Sequence, residues 1–400
     1  MGDSALRKAK EPFRLEIYLD NCATTRVCPE AAAACMEAMT GRYGNPSSLH
    51  RKGLEAETIL TETRKTIGRM LSCPPECIYF TANATESNNL AILGSAAAHP
   101  KGGSTIVTTA VEHSSVAQSV SELERRGYTV RRVMPRPDGQ FAAEDFLAAA
   151  DSSTLLVSFM MVNNETGAIL PYQKLIPALR RKFPHLLIHM DAVQGFARYP
   201  LNLKRLDLDF LSFSGHKLYA PKGVGVLYVK KGVRLAPLAY GGGQERGLRP
   251  GTQAAELIAA LNGALLLCQR EGKAWEEHYR TLNRHLRERL AALPRVTINS
   301  PENGAPHILN LSVLGIRSEI MLHFLEEKGI YVSSGSACSQ GAQSPALAAF
   351  GLSPEQVDSA LRVSFSRETT LPEIDALVDA LEEGINRLRP IIEKNGKDRL

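Results

Sequence analysis

Six apolar runs of strand length, IYFT, TIVTTAV, TLLVSFMMV, LLIHMD, DFLSFS and VGVLYV, recur between residues 78 and 229, with helical segments before and between them such as LEAETILTETRKTIGRMLS and YQKLIPALRRKF. Runs this uniformly apolar are buried on both faces, which calls for an α/β layered domain whose largely parallel sheet is covered by helices on each side. Sheets of that kind place their sites outside the carboxyl ends of the strands, so the polar residues that follow each run are the ones to read for chemistry. After about residue 260 the texture changes to two long helical stretches, AELIAALNGALLLCQR and AWEEHYRTLNRHLRERLAAL. Short strand-like pieces around VTINS, ILNLSV and LRVSFS follow, the pattern of a second, smaller α+β domain. The expected division gives residues 18–261 to the large domain and residues 1–17 with 262–400 to the small one.

Composition excludes several classes. No apolar stretch is long enough to span a bilayer, and the opening MGDSALRKAKEPFRLEIYLD lacks the apolar core of an export signal, so a cytoplasmic, reducing location is expected. Seven scattered cysteines (Cys22, Cys28, Cys35, Cys73, Cys77, Cys268 and Cys338) argue against a disulfide framework. Cys73 and Cys77, in CPPEC, have no second Cys or His pair downstream, so no metal site is expected. The net charge of +5 is spread along the chain rather than gathered beside aromatic residues, which gives no sign of nucleic-acid binding.

Two polar residues at run ends stand out, Asp191 and Lys217, 26 positions apart. A pyridine-aldehyde cofactor needs an acid against its ring nitrogen and a lysine to hold its aldehyde as an imine; taken alone, a capping Asp and a surface Lys fit equally. ANATESNN (Ala82 to Asn89) follows a strand and opens a helix, so it is either a plain capping turn or a phosphate cradle, with Ser214 and His216 as further donors. No GxxxxGK[ST] is present. His113 ends another run and could face an aromatic cofactor or shuttle protons, although a lone histidine is more often structural. In NNETG, Asn164 is a turn residue unless a ligand sits nearby. GGGQERGLRPGT (Gly241 to Thr252) does not sit between a strand and a helix as a dinucleotide motif must, and reads as a loop reaching a neighbouring site. Arg362, in ALRVSFSR, is either a carboxylate clamp or a strand surface charge. Cys338 sits in SSGSACSQGAQSP, small and polar surroundings that predict a loop, an unusual place for a cysteine and a suitable one for a nucleophile.

These segments together are similar to the NifS/IscS-like cysteine desulfurases of the class V aminotransferase family, fold type I pyridoxal-phosphate enzymes, in the subgroup with an SSGSAC loop. The resemblance runs nearly end to end, through YLDNCATT, YGNPSS, ATESNNL, EHSSV, VNNETG, MDAVQ, SFSGHK, GGGQERG, SSGSACS and LRVSFSR. Arg26, Cys22 and Pro250 depart from the family pattern. The resemblance implies a mainly parallel seven-stranded sheet in the large domain and pyridoxal 5′-phosphate as cofactor. Lys217 would bond the aldehyde, Asp191 would pair with the pyridine nitrogen, His113 would stack on the ring, and Asn164 and Gln194 would contact the ring hydroxyl side. Ala84, Thr85, Ser214 and His216 would hold the phosphate, with Thr252 supplied by the partner subunit of a homodimer. Arg362 would bind the carboxylate of L-cysteine, with Asn45 and Asn164 close by. Cys338 would take the sulfur as a persulfide, leaving alanine and passing the sulfur to an acceptor or iron–sulfur scaffold protein. The alternatives are a selenocysteine lyase or a class V transaminase, and, from another class, a non-catalytic sulfur-relay protein.

Overall fold

The computed structural model describes residues 16–334 and 344–397. Strand β1 (Ile17–Tyr18) lies in the small domain, and the next seven strands form one sheet. These are β2 (Ile78–Thr81), β3 (Thr105–Thr109), β4 (Thr129–Val133), β5 (Thr154–Met160), β6 (Leu187–Asp191), β7 (Phe210–Ser214) and β8 (Gly225–Val229), in the spatial order β2-β8-β7-β6-β5-β3-β4. Neighbours from β7 to β4 pair in parallel, while β8 is antiparallel to both β7 and β2. Six of the strands coincide with the apolar runs; the seventh, β4, sits at the sheet edge.

Successive strand residues point to opposite faces, and here both sides are apolar. Val107, Val157, Ile188, Leu211 and Val226 enter one hydrophobic cluster, while Ile106, Leu156, Leu187, Phe210 and Leu227 enter another. Fully burying each such side chain contributes about 1.5–3 kcal/mol. The exception in the middle is His189 of β6, whose ring nitrogens pair with Ser158 Oγ at 2.8 Å and Ser212 Oγ at 3.0 Å, bridging β5 and β7. Burial holds its pKa down at about 3, so it is a neutral cross-strand tie.

The two long helical stretches expected after residue 260 are one helix, Ala255–Leu290. The intervening Glu-Gly-Lys holds no proline, and a single interior glycine costs only about 1 kcal/mol. This helix crosses the expected division at 261/262. Its residues Ile258 to Cys268 pack in the sheet's core, while Tyr279, Leu282, Leu286 and Leu290 pack in the small domain's. There β9 (Val296–Ile298), β10 (Ile308–Val313), β12 (Ser333–Ser334) and β13 (Ala360–Ser364) form an antiparallel sheet in the order β12-β13-β10-β9, and β11 (Ile330–Tyr331) pairs with β1. A bridge from Asp20 to Ser364 ties the segment after β1 to the end of β13. Among the described residues no helix is long and apolar enough to cross a membrane.

Candidate active site

A cavity of about 380 Å³ opens at the carboxyl ends of the parallel strands, a volume in the small-molecule range. Ala84, Thr85, His113, Asn164, Asp191, Gln194, Ser214, His216, Lys217 and Arg362 all line it. They come from far-separated segments because each follows or ends an element: Asp191 ends β6, Ser214 ends β7, and Ala84 and Thr85 open the helix Ala84–Ala98. Asn45 and Thr252 do not line this cavity; Asn45 is exposed, and Thr252 borders a different cleft with Phe80 and Arg249. Cys338 lies outside the described residues, but the chain on either side of its segment is anchored at the cavity. Ser333 and Ser334 line it, and Ser344 Oγ donates to Glu165, another lining residue, at 2.6 Å.

Asp191 is buried, its carboxylate held by Asn88 Nδ2 at 2.8 Å and by the backbone N–H of Val193 at 3.0 Å. Asn88 also donates to Ser115 Oγ at 2.9 Å, and Ser115 Oγ lies 2.9 Å from His113 Nδ1. The Ser115 backbone N–H donates to the same Nδ1 at 3.1 Å, so the proton of the neutral imidazole sits on Nε2. Burial pushes the His113 pKa down, and Lys217 and Arg362 add to this against the opposing pull of Asp191. A neutral His113 is therefore linked to Asp191 through Ser115 and Asn88.

Lys217 Nζ donates to the carbonyls of Cys22 at 2.5 Å and Ala23 at 2.7 Å. Gln194 is pinned at both ends by residue 22: Nε2 donates to its carbonyl at 3.2 Å, and the Cys22 thiol donates to Oε1 at 3.6 Å. Burial raises the Cys22 pKa, which keeps this thiol protonated. Arg362, on β13, donates from Nη2 to Asp20 at 2.8 Å and from Nη1 to the Asn164 carbonyl at 3.0 Å. Among the described residues its buried Nε has no hydrogen-bond partner. Beneath the cavity floor Glu112 accepts from Thr109 Oγ1 at 2.5 Å and from the Met160 N–H at 3.1 Å, and burial lifts its pKa to about 8.

The phosphate end has a distinct chemistry. Asn83 caps the helix Ala84–Ala98 by accepting from Glu86 N–H at 2.9 Å, and the Glu86 carboxylate accepts from Ala82 N–H at 2.5 Å. The first-turn N–H groups of Ala84 and Thr85 have no intrahelical acceptor, so a dianion at this positive helix end completes them. Among the described residues the buried Ser214 Oγ has no hydrogen-bond partner. The turn can sit this close to β8 only because residue 225 is glycine; a Cβ there would lie 2.5 Å from the Asn83 carbonyl carbon. Burial and the neighbouring Lys217 hold His216 down at about 4, so it is a neutral donor. An orphaned hydroxyl, a free helix end, a held carboxylate and a lysine around one cavity fit pyridoxal 5′-phosphate. Reading the strand ends did not single out Asp20, Asn88, Ser115, Glu112 or Glu165. Asp20 and Asn88 lie within quoted segments, yet their partners are 342 and 103 residues away, which no local pattern announces.

The aminotransferase class V family model matches residues 17–377. A NifS/IcsS protein homolog from Lactobacillus delbrueckii subsp. bulgaricus is 40% identical over 92% of this chain and 96% of its own length. A cysteine desulfurase IscS from Serratia proteamaculans is 38% identical over 95% of each chain. A solved NifS-like protein superposes with a TM-score of 0.88 at 34% identity, covering 93% of this chain and 100% of its own.

Proposed function

The chain belongs to the class V aminotransferase family and is a cysteine desulfurase that uses pyridoxal 5′-phosphate, and from that premise we propose how its own residues divide the work. Bound pyridoxal 5′-phosphate supplies an electron sink beside the substrate's Cα and an aldehyde for amines to bond. Ala84, Thr85, Ser214 and His216 would hold its phosphate, Asp191 its ring nitrogen, Gln194 and Asn164 its hydroxyl side, and Lys217 its aldehyde. The observation that carries this reading is the convergence of Lys217, Asp191, His113 and Arg362 on one cavity at the strand ends.

Arg362 receives the carboxylate of L-cysteine. Asp20 and the Asn164 carbonyl fix the plane of the guanidinium, leaving Nε and the remaining N–H groups as donors. With the substrate's α-amino group in place, the Lys217 amine takes and returns the proton at Cα. Neutral His113, its Nε2–H fixed by Ser115, is positioned to exchange protons within the cavity. The Cys338 thiolate forms an S–S bond to the substrate sulfur while the Cβ–S bond breaks. The bonding pair stays with Cβ, which is protonated, and alanine leaves with Cys338 as a persulfide. A free thiol with a pKa of about 8.5 is a few per cent thiolate at neutral pH, so a group that takes its proton accelerates this step. Thus His113 and Lys217 both bear on Cys338.

The persulfide then passes to an acceptor protein for iron–sulfur cluster or thio-cofactor assembly, in the reducing cytoplasm that a working thiol requires. A homodimer is the functional unit. It is supported by Thr252 standing away from its own chain's cavity, and by large apolar side chains left in solvent along one stretch, with Tyr43 68%, Leu49 105% and Leu54 63% exposed.

Cys338→Ala tests the assignment directly. Wild type and variant are expected to show the same cofactor absorbance and the same spectral response to L-cysteine, while alanine and sulfide formation under reductant is lost in the variant. Desulfuration by the variant at the wild-type rate would sink the persulfide step and leave a simple lyase or transaminase.

A further inference from the structure

A second, much smaller cavity of about 20 Å³ lies in the seam between the two domains, bordered by Arg198, Tyr199, Tyr219, Trp275, Tyr279 and His307. Arg198 spends one N–H on the Lys217 carbonyl, at 3.2 Å from Nη2. Among the described residues its Nε and Nη1, the Tyr199 hydroxyl and His307 Nε2, all shielded atoms, have no hydrogen-bond partner, and His307 is 2% exposed. The other two hydroxyls, Tyr219 and Tyr279, bond each other at 2.9 Å. Among the described residues Arg198 makes no ion pair, and the carboxylate on the cavity wall, Glu276, is engaged by Arg280 at 2.6 Å.

Two of these atoms, Arg198 Nε and Nη1, can only donate, while the Tyr199 hydroxyl and His307 Nε2 can each be turned to donate toward the cavity. An unmade buried donor destabilises, more so when it is charged, and the half-buried Arg198, with two shielded N–H groups and no ion pair among the described residues, is the most costly member. We infer that the seam cavity binds one small monovalent inorganic anion, a halide such as chloride, held by Arg198, Tyr199 and His307. The size sets the class. A single water needs roughly 10–15 Å³, so about 20 Å³ suits a monatomic ion. Water would meet some of the donors but would leave the guanidinium charge unanswered.

Burial drives the His307 pKa well below its usual value, with Arg198 adding, and burial raises that of Tyr199. Both stay neutral near pH 7 and can donate to an anion. The ion would join large-domain Arg198 and Tyr199 to small-domain His307, and it would sit one hydrogen bond from the main chain of Lys217.

The test uses the cofactor-loaded enzyme, melted in sodium chloride and in sodium gluconate at equal ionic strength. Chloride is expected to raise the wild-type Tm saturably, by about 2 °C at a tenfold excess over its Kd. The chloride–gluconate difference should vanish in Arg198→Gln. Crystals soaked in bromide should show an anomalous peak within hydrogen-bond distance of Arg198 Nη1, Tyr199 Oη and His307 Nε2. Equal melting in the two salts, or ordered water in the seam in place of bromide, overturns the inference. So does a chloride effect that survives Arg198→Gln, which would place the ion at Arg362. Should Arg198→Gln fail to fold, Tyr199→Phe is expected to weaken chloride binding about tenfold, and an unchanged midpoint overturns it equally.

Discussion

Arg362, buried, and Arg198, half-buried, are two guanidiniums surrounded in opposite ways. Arg362 faces about 380 Å³ of open cavity and already has a carboxylate, Asp20, at 2.8 Å. Arg198 faces about 20 Å³ and has only a carbonyl. A cation with a resident counter-charge can release and recapture a ligand at little electrostatic cost, because its charge is never left unanswered. One without it favours an ion that stays. Changes around Arg362 should therefore appear in turnover, and changes around Arg198 in stability. The predictions below try that division at decreasing effect.

The largest effect belongs to Lys217→Ala, which removes both the aldehyde anchor and the proton carrier. Turnover of L-cysteine should fall by at least about 10³-fold, with the cofactor absorbance shifted rather than lost, because the phosphate and ring contacts remain. An absorbance and a rate like those of wild type would mean that another amine serves. Next comes Arg362→Lys, which keeps the charge and loses the planar fork. It should lower kcat/KM about 100-fold, mainly through KM, while moving Tm little. A fall confined to Tm would make Arg362 a structural cation like Arg198 and erase the contrast.

Asn88→Ala sharpens the comparison, because among the described residues the Asn88 side chain hydrogen-bonds Asp191 and Ser115 and acts through them. About a tenfold loss of kcat is expected. As the variant frees Asp191 and loosens the link to His113, the pH–rate profile should shift as well. A purely packing role would lower Tm and leave that profile in place.

What the sequence made legible follows the same physics. The five interior strands, and β2 at one edge, could be read because covered faces force continuous apolar runs. Strand β4, at the other edge, could not, because two arginines interrupt the apolar run in TVRRV, and Arg131 and Arg132 leave the sheet for Asp151 and Glu124, each at 2.7 Å. Asp191 and Ser214, which end strands, and Lys217, three residues past one, stood out by position, although position alone suited a capping Asp and a surface Lys equally. Asp20 was not, since only the bridge between the segment after β1 and the end of β13 brings it to Arg362. The seam was invisible for a related reason: Arg198 and His307 meet only once the small domain closes on the large one, and neither lies in a recognisable pattern. The helix Ala255–Leu290, read as two, shows the limit of composition, where a polar stretch with one glycine marks a change of core rather than a break in the backbone.

The smallest effect comes from Glu112, which lies beneath the reactive cavity yet should behave like the seam. Its folded pKa of about 8 stands above the ordinary carboxylate value of 4.5, with burial the main cause and Asp191 adding. Below about pH 4.5 the acid is protonated whether the chain is folded or not, and it contributes no pH dependence. As pH rises toward 8 the unfolded chain ionises first, so the folded form is progressively penalised. Glu112→Gln keeps an acceptor for Thr109 and the Met160 N–H and cannot ionise. Its Tm relative to wild type should therefore climb between pH 5 and pH 8, by about 2 °C or more at the upper end. A Tm difference that is flat with pH would show that Glu112 is already ionised in the fold. A loss of turnover that follows the same titration would move Glu112 from the floor of the cavity into its proton chemistry, and the division between turnover and stability would have to be drawn beneath Asp191 rather than at the domain seam.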